Sequence, residues 1–224
     1  MNGYFVTGTD TNVGKTYVAC AIARQARAQG HKIFAFKPIE SGCVPGPDGQ
    51  LVGADQELLA KAAGDWQQGP LRGLYRFALP AAPLVAAEAA RTTIDLAQIV
   101  QTAHHGAADS LATLTLVEGA GGWRVPITAD ADMSTLARAL SLPVLVAARA
   151  GLGTINHTLL TIEAIHRDGL SVAGVVLSRR PEDDLEAAQS NRFEINRRWP
   201  GRVLILGATP TDLDCLIQAP RIST

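Results

Sequence analysis

The residues best suited to chemistry begin with Gly8-Thr9-Asp10-Thr11-Asn12-Val13-Gly14-Lys15-Thr16, set between a short apolar run and an amphipathic one. A glycine-punctuated turn entering a helix presents backbone N–H groups to an anion, and the helix dipole favours negative charge there. Gly14 lets the backbone approach a phosphate, Lys15 offers a cation to the β- and γ-phosphates, and the Thr16 hydroxyl can ligate Mg2+. Five residues separate Gly8 from Gly14, one more than the common pattern, so a strict motif search would miss the loop. The plainer alternative is a strand-to-helix turn with no ligand. Lysine is scarce, with only Lys15, Lys32, Lys37 and Lys61 in the chain, so a lysine inside a motif is not casual surface decoration.

Three further segments sit where strands end. Lys37-Pro38-Ile39-Glu40-Ser41-Gly42 follows an apolar run, and in an open parallel sheet that edge faces the ligand crevice, so Lys37 can point at the same phosphates as Lys15. Two cations flanking a transferring phosphoryl group stabilise its spreading charge. Taken alone, Lys37 reads equally well as a solvated lysine stopped by Pro38. Glu118, at the tip of Leu114 to Val117, is placed to hold Mg2+, and Gly119-Ala120-Gly121-Gly122 leaves room for a nucleotide. Asp55, at a helix start, reads on spacing alone as a cap or dipole partner. Gly151-Leu152-Gly153-Thr154-Ile155-Asn156-His157 enters another helix and can receive a carboxylate, although Thr154 as an ordinary cap is the simpler reading. His104 and His105 have no partner spacing and read as exposed and inert.

Elements that would position these residues alternate along the chain. Strands are expected at Tyr4 to Val6, Ile33 to Phe36, Leu114 to Val117, Val144 to Ala147, Val172 to Leu177 and Val203 to Leu206. Their continuous apolar runs suit strands covered on both faces. Helices are expected over 16–29, 56–63, 94–108, 134–140, 155–168 and 182–198, the first with Val18, Ile22 and Ala26 on one face and Gly30 as its stop. Pro45 to Gly49 reads as a loop and Gly69 to Pro83 as irregular. The expected fold is α/β, a P-loop NTPase-type three-layer arrangement with a mostly parallel central sheet flanked by helices, with 1–224 as a single domain.

Composition narrows the function classes. The 224 residues are 47% hydrophobic, which supports a buried core rather than disorder. A net charge of −1 with no basic block argues against nucleic acid as a partner. No apolar run approaches the ~20 residues of a membrane span, and the short apolar N-terminus enters a glycine-rich loop rather than a signal-peptide core. The three cysteines fall at no metal or redox spacing and read as reduced thiols, so a cytoplasmic protein is expected.

Taken together, the loop at Gly8 to Thr16, the Lys37 to Gly42 segment, Glu118-Gly119-Ala120-Gly121-Gly122-Trp123 and the Gly151 to His157 loop closely resemble the dethiobiotin synthetases, in order and spacing along most of the chain. The five-residue gap is also found in that family. The resemblance implies an enzyme that takes ATP, CO2 and 7,8-diaminopelargonic acid, forms a carbamate and then a carbamic–phosphoric mixed anhydride, and closes a ureido ring. It implies that Asn12, Val13, Gly14, Lys15, Thr16 and Tyr17 bind the nucleotide, with Gly119, Ala120 and Gly121 beside it. Thr16, Asp55 and Glu118 would serve Mg2+, which raises Asp55 from a cap to a ligand. Lys15, Lys37 and Thr11 would be catalytic, and Lys37 would also hold the carbamate. Thr11 and Ser41 would touch the substrate. Family members are homodimers with the active site at the interface, so Gly153, Thr154 and Asn156 would receive the substrate tail held by a second subunit.

Two positions depart from the family. Ser178 stands where an asparagine usually reads adenine, and a hydroxyl cannot reproduce the fixed donor–acceptor pair of an amide. Relaxed base selectivity is therefore expected, with Arg179 or the Thr209-Pro210 loop as other readers. Leu84 replaces a histidine common in the family. A partition-type switch ATPase of the same fold would carry an extra lysine early in the loop, where this chain has Gly8, Thr9 and Asp10. A catalytically idle relative would be expected to lack Lys37 or Glu118, and both are present.

Overall fold

The structure is a computed structural model and describes residues 1–207 and 213–218. Its frame is a sheet built by β1 (Gly3–Gly8), β2 (Ile33–Phe36) and four later strands, with α1 (Lys15–Ala28) joining the first two. Two short pairings follow β2. β3 (Ile39–Ser41) runs beside a later strand, while β4 (Val44–Pro45) and β5 (Leu51–Val52) form a small hairpin around the glycine- and proline-rich loop. Next come α2 (Ala54–Ala63), a 3-10 turn at Gly69–Leu71, β6 (Tyr75–Phe77), which pairs with β3 in parallel, and α3 (Pro83–Ala89). The second half is α4 (Leu96–Asp109), β7 (Leu114–Gly122), α5 (Met133–Leu140), β8 (Val144–Arg149), α6 (Thr154–Arg167), β9 (Val172–Ser178), α7 (Leu185–Arg198), β10 (Val203–Leu206) and α8 (Asp214–Ile217).

The central sheet has six strands in the order β10-β9-β8-β1-β7-β2, every pairing parallel. Alternation along β1 divides the core. Tyr4 and Val6 pack with α1, α2 and α8, whereas Phe5 packs with α4, α5, α6 and α7 on the other face. The result is the three-layer P-loop NTPase type, with loops carrying the candidate residues at one sheet edge. Truncating a fully buried ring such as Phe5 to alanine would cost about 3–5 kcal/mol.

Helix starts differ from the sequence reading because caps decide them. Asp95 and Asp184 accept N–H bonds from the first turns of α4 and α7, so these helices begin at Leu96 and Leu185 rather than at 94 and 182. Asp132 forms a reciprocal capping box with Thr135 at the start of α5. Thr154 is not the cap of α6: Gly153, at φ 89°, occupies that position, and Thr154 is the first helical residue. β7 also continues past the expected end at Val117. Its partner β1 runs on to Gly8, which pairs with Gly122, so Glu118 lies inside the strand rather than at its tip. The region read as irregular contains the 3-10 turn and β6 and ends where α3 begins, at Pro83, and Leu84 falls within α3.

Candidate active site

The loop between β1 and α1 is shaped by its own close contacts. A Cβ on Gly8 would lie 2.8 Å from the Asp10 carbonyl and 3.1 Å from Lys15 Nζ, so no side chain fits there. Asn12 is left-handed at φ 58° and Gly14 at φ 94°, which turns the chain back onto the helix start. Gly14 also meets Ser178 from β9, whose Oγ would lie 2.5 Å from an added Cβ. Lys15 Nζ crosses the loop and donates to the Asp10 carbonyl at 3.0 Å. Burial pulls its pKa down to about 8, with Glu118 opposing the shift and Lys37 adding to it.

Lys37 is the first residue past β2 and is only 5% exposed. Its ammonium donates to Asp55 Oδ2 and, at 2.9 Å, to Glu118 Oε1. Burial alone would lower the lysine pKa, but the Glu118 and Asp55 carboxylates outweigh it and hold the group well above the ordinary lysine range. Thr16 Oγ1 donates to the same Glu118 Oε1 at 2.8 Å. Glu118 is 1% exposed, and its second oxygen, Oε2, is buried with no hydrogen-bond partner among the described residues. A buried, unpaired carboxylate oxygen is costly unless another group completes it.

A cavity of about 440 Å3 lies over this arrangement. Its lining includes Lys15, Thr16, Lys37 and Asp55, together with Thr11, Asn12, Gly14 and Tyr17 of the loop and helix start and Ser41, Ala120 and Gly121 from strand ends. A second cavity of about 410 Å3 shares Asn12, Gly14 and Tyr17 and adds Val13, Ser178 and Arg179. A third, of about 430 Å3, runs from Thr11 and Ser41 along Pro80 to Pro83 and Val125. Three adjoining clefts thus radiate from one loop: a cationic centre, a side that carries three arginines and a side that carries prolines and alanines.

Several expected residues stand elsewhere. Gly119 lines none of these clefts; a Cβ there would press on the Phe5 ring at 3.0 Å and on Met133 at 3.3 Å, so packing accounts for the glycine. Gly153, Thr154 and Asn156 also lie outside them, next to Leu152, whose side chain is fully exposed. Pro210 is outside the described residues, although Gly207 just before it lines the second cleft and accepts a bond from the Tyr17 hydroxyl at 3.2 Å. Arg179 is tied down by the carbonyls of Asp183 at 2.7 Å and Arg180 at 3.3 Å. Arg180, which the sequence reading passed over, lines both the first and second clefts, and Arg149 lines the second. The one available signal for Arg180 was its place beside Arg179 just past β9. Glu40 and Gln56 were missed as well, because their partners lie far away in sequence.

Oxygen donors from Thr16 and Asp55, which line this cavity, and from Glu118, which Thr16 contacts, suit a hard divalent ion. The orphaned Glu118 Oε2 supplies the observation that fits such an ion. No cluster of three or more His, Cys, Asp or Glu occurs among the described residues, and an ion held partly by phosphates needs none.

A family model described as an AAA domain matches residues 2–216. The chain is 49% identical over 199 residues to the ATP-dependent dethiobiotin synthetase BioD of Anaeromyxobacter dehalogenans, covering 88% of this chain and 85% of that one. It is 40% identical over 211 residues to the protein of the same name from Bacillus cereus, covering 94% and 84%. Among solved structures, the MinC:MinD cell division protein complex of Aquifex aeolicus aligns with a TM-score of 0.58 at 13% identity, over 97% of this chain and 86% of that one. The signal recognition particle receptor FtsY of Elizabethkingia anophelis aligns with a TM-score of 0.57 at 14% identity, over 96% and 63%. At such identities the likeness is one of fold alone.

Proposed function

This chain belongs to the dethiobiotin synthetase family, and from that premise we propose that it uses Mg-ATP to close the ureido ring of dethiobiotin from 7,8-diaminopelargonic acid and CO2. One amine of the substrate takes up CO2 and loses a proton, giving a carbamate. A carbamate oxygen attacks the γ-phosphorus, the bond to the β-phosphate oxygen breaks, and ADP leaves. The second amine then attacks the carbamoyl carbon, loses its proton and expels phosphate.

The observation that carries this reading is the shared contact of Lys37 and Thr16 with Glu118 Oε1 at the edge of the cavity that Lys15 also lines. Lys15 and Lys37 are fixed cations in a site shielded from water, where they act on charge that develops during phosphoryl transfer. Lys37 also has the position to hold the carbamate oxygen, since Ser41 and Thr11 line the cleft beside it. The apolar cleft toward Pro80 and Val125 suits the alkyl chain of the diamine. Mg2+, when bound, would neutralise charge on the β- and γ-phosphate oxygens. Thr16, Asp55 and Glu118 would hold it, and Glu118 Oε2 has no other partner among the described residues.

We also propose a homodimer in which the segment 151–156 of one subunit, exposed at Leu152, Gly153 and Asn156, receives the substrate's carboxylate tail from the other. Support comes from the N-terminus of α6, which is shaped by Gly153 and lies apart from the clefts of its own chain. No helix among the described residues is long and apolar enough to cross a membrane, and a cytoplasmic location goes with the proposed reaction.

The test is direct. With Mg-ATP and bicarbonate, ADP release should appear only when 7,8-diaminopelargonate is added. Release at the same rate without the diamine would point to a switch-type ATPase, and no release in either case to an idle nucleotide binder.

A further inference from the structure

α2 begins without a cap of its own, because its N-cap residue is Gly53, which has no side chain to offer. The missing acceptors come from another element. Glu40, in β3, accepts the Asp55 N–H through Oε1 at 3.0 Å and the Gln56 N–H through Oε2 at 2.9 Å. The glutamate is 7% exposed, so this is a built contact rather than a chance surface pairing. The helix start is also shaped around it, since a Cβ on Gly53 would lie 2.4 Å from Glu40 Oε2.

The same turn of α2 grips Lys37 at both ends. Gln56 Nε2 donates to the Lys37 carbonyl at 3.0 Å, while the Asp55 carboxylate accepts from the Lys37 ammonium. An ordinary cap from residue 53 would hold the helix equally well. Only a cap from β3 ties that first turn to the strand that begins two residues after Lys37. The placement of Asp55 therefore depends on a carboxylate fifteen residues earlier in the chain.

We propose that Glu40 is a positioning residue for the phosphoryl transfer: by clamping the first turn of α2, it fixes the place from which Asp55 serves Lys37 and the divalent ion. This rests on the reading of the site given above. The side chain acts through Asp55 and need not touch the reacting atoms.

Glu40→Gln keeps the volume but leaves one carbonyl acceptor and turns an amide N–H toward a backbone N–H. Two readouts separate a positioning role from a merely structural one: the Mg2+ concentration for half-maximal turnover, and ADP affinity by calorimetry with Mg2+ and with EDTA. In Glu40→Gln the Mg2+ requirement should rise about tenfold, as is common when a residue behind a metal ligand is lost. ADP affinity should weaken with Mg2+ present and match wild type in EDTA. Gly53→Ala, which displaces the same carboxylate without changing charge, should show the same pattern. Asp132→Ala, which removes a cap from α5 away from the site, should leave both readouts unchanged. A wild-type Mg2+ requirement in Glu40→Gln would overturn the proposal, as would an equal rise in Asp132→Ala. If wild-type protein itself bound ADP with no Mg2+ dependence, the metal reading would fall and this inference with it.

Discussion

Lys37 Nζ and Glu118 Oε1 lie 2.9 Å apart although eighty-one residues separate them in the chain. The register of the sheet brings them together. β2 and β7 pair in parallel with Phe36 opposite Val117, so the next residue on each strand, Lys37 and Glu118, meet at the same edge. A lysine after one apolar run and a glutamate near the end of another become a fixed ion pair without a dedicated loop.

Breaking that pair should separate catalysis from folding. Lys37→Gln removes a cation that acts on transition-state charge, and turnover should drop about 100-fold or more. It also leaves the buried Glu118 near Asp55 with no cation between them, so melting temperature should fall. Mg2+ held by the same carboxylates should restore part of the loss, giving the variant a larger thermal shift on Mg2+ addition than wild type. Rates near wild type would refute the role given to Lys37.

Lys15→Gln should also lose most turnover, but with little change in melting temperature. Its ammonium is held by one carbonyl rather than by a pair of carboxylates. Steady-state rates and a thermal melt on the same preparation decide the matter.

Gly14 should accept no substitution. Its φ of 94° disfavours any side chain, and a Cβ would press against Ser178. Gly14→Ala should abolish ATP binding as measured by calorimetry while the circular dichroism spectrum stays helical and sheet-rich.

Base selectivity is expected to be loose. Ser178 packs against the phosphate loop, Arg179 is committed to loop carbonyls, and Arg149 and Arg180 are among the other residues lining the second cleft. GTP or CTP should support turnover within about tenfold of ATP, a gap of ~1.4 kcal/mol. A far stronger ATP preference would show that other groups read adenine.

Away from the site, Asp132→Ala should cost about 1 kcal/mol through loss of the capping box on α5. Burial opposes ionisation of Asp132, but hydrogen bonds from Ser134 and Thr135 outweigh it and hold the carboxyl below its usual range. A depressed pKa stabilises the fold above the unfolded value of about 3.9, and that gain fades as pH falls through the folded value. The difference in melting temperature between wild type and variant should therefore be full at neutral pH and shrink below about pH 4.

The sequence was legible where one local pattern decides the outcome. Lys15 and Thr16, which line the central cavity, stand out in sequence because glycines, a strand and a helix bracket them within a few residues. The long apolar strands were equally plain. Glu118 reads in sequence as the tip of a strand, since Gly119 to Gly122 looks like a loop until β1 is seen pairing as far as Gly122. Glu40 and Gln56 left no local signal at all. Their partners are set by how β3 meets α2, a relation that periodicity does not encode. α3 was hidden behind Pro80 to Pro83, because proline marks a break in sequence yet is also favoured in the first turn of a helix.

The central claim is that a substrate carbamate, not water, attacks the γ-phosphate between Lys15 and Lys37. A single turnover with 18O-labelled bicarbonate, quenched before the label exchanges with solvent, tests it by mass spectrometry of the released phosphate. The account predicts one labelled oxygen in the phosphate for each ring closed; phosphate without label would contradict it.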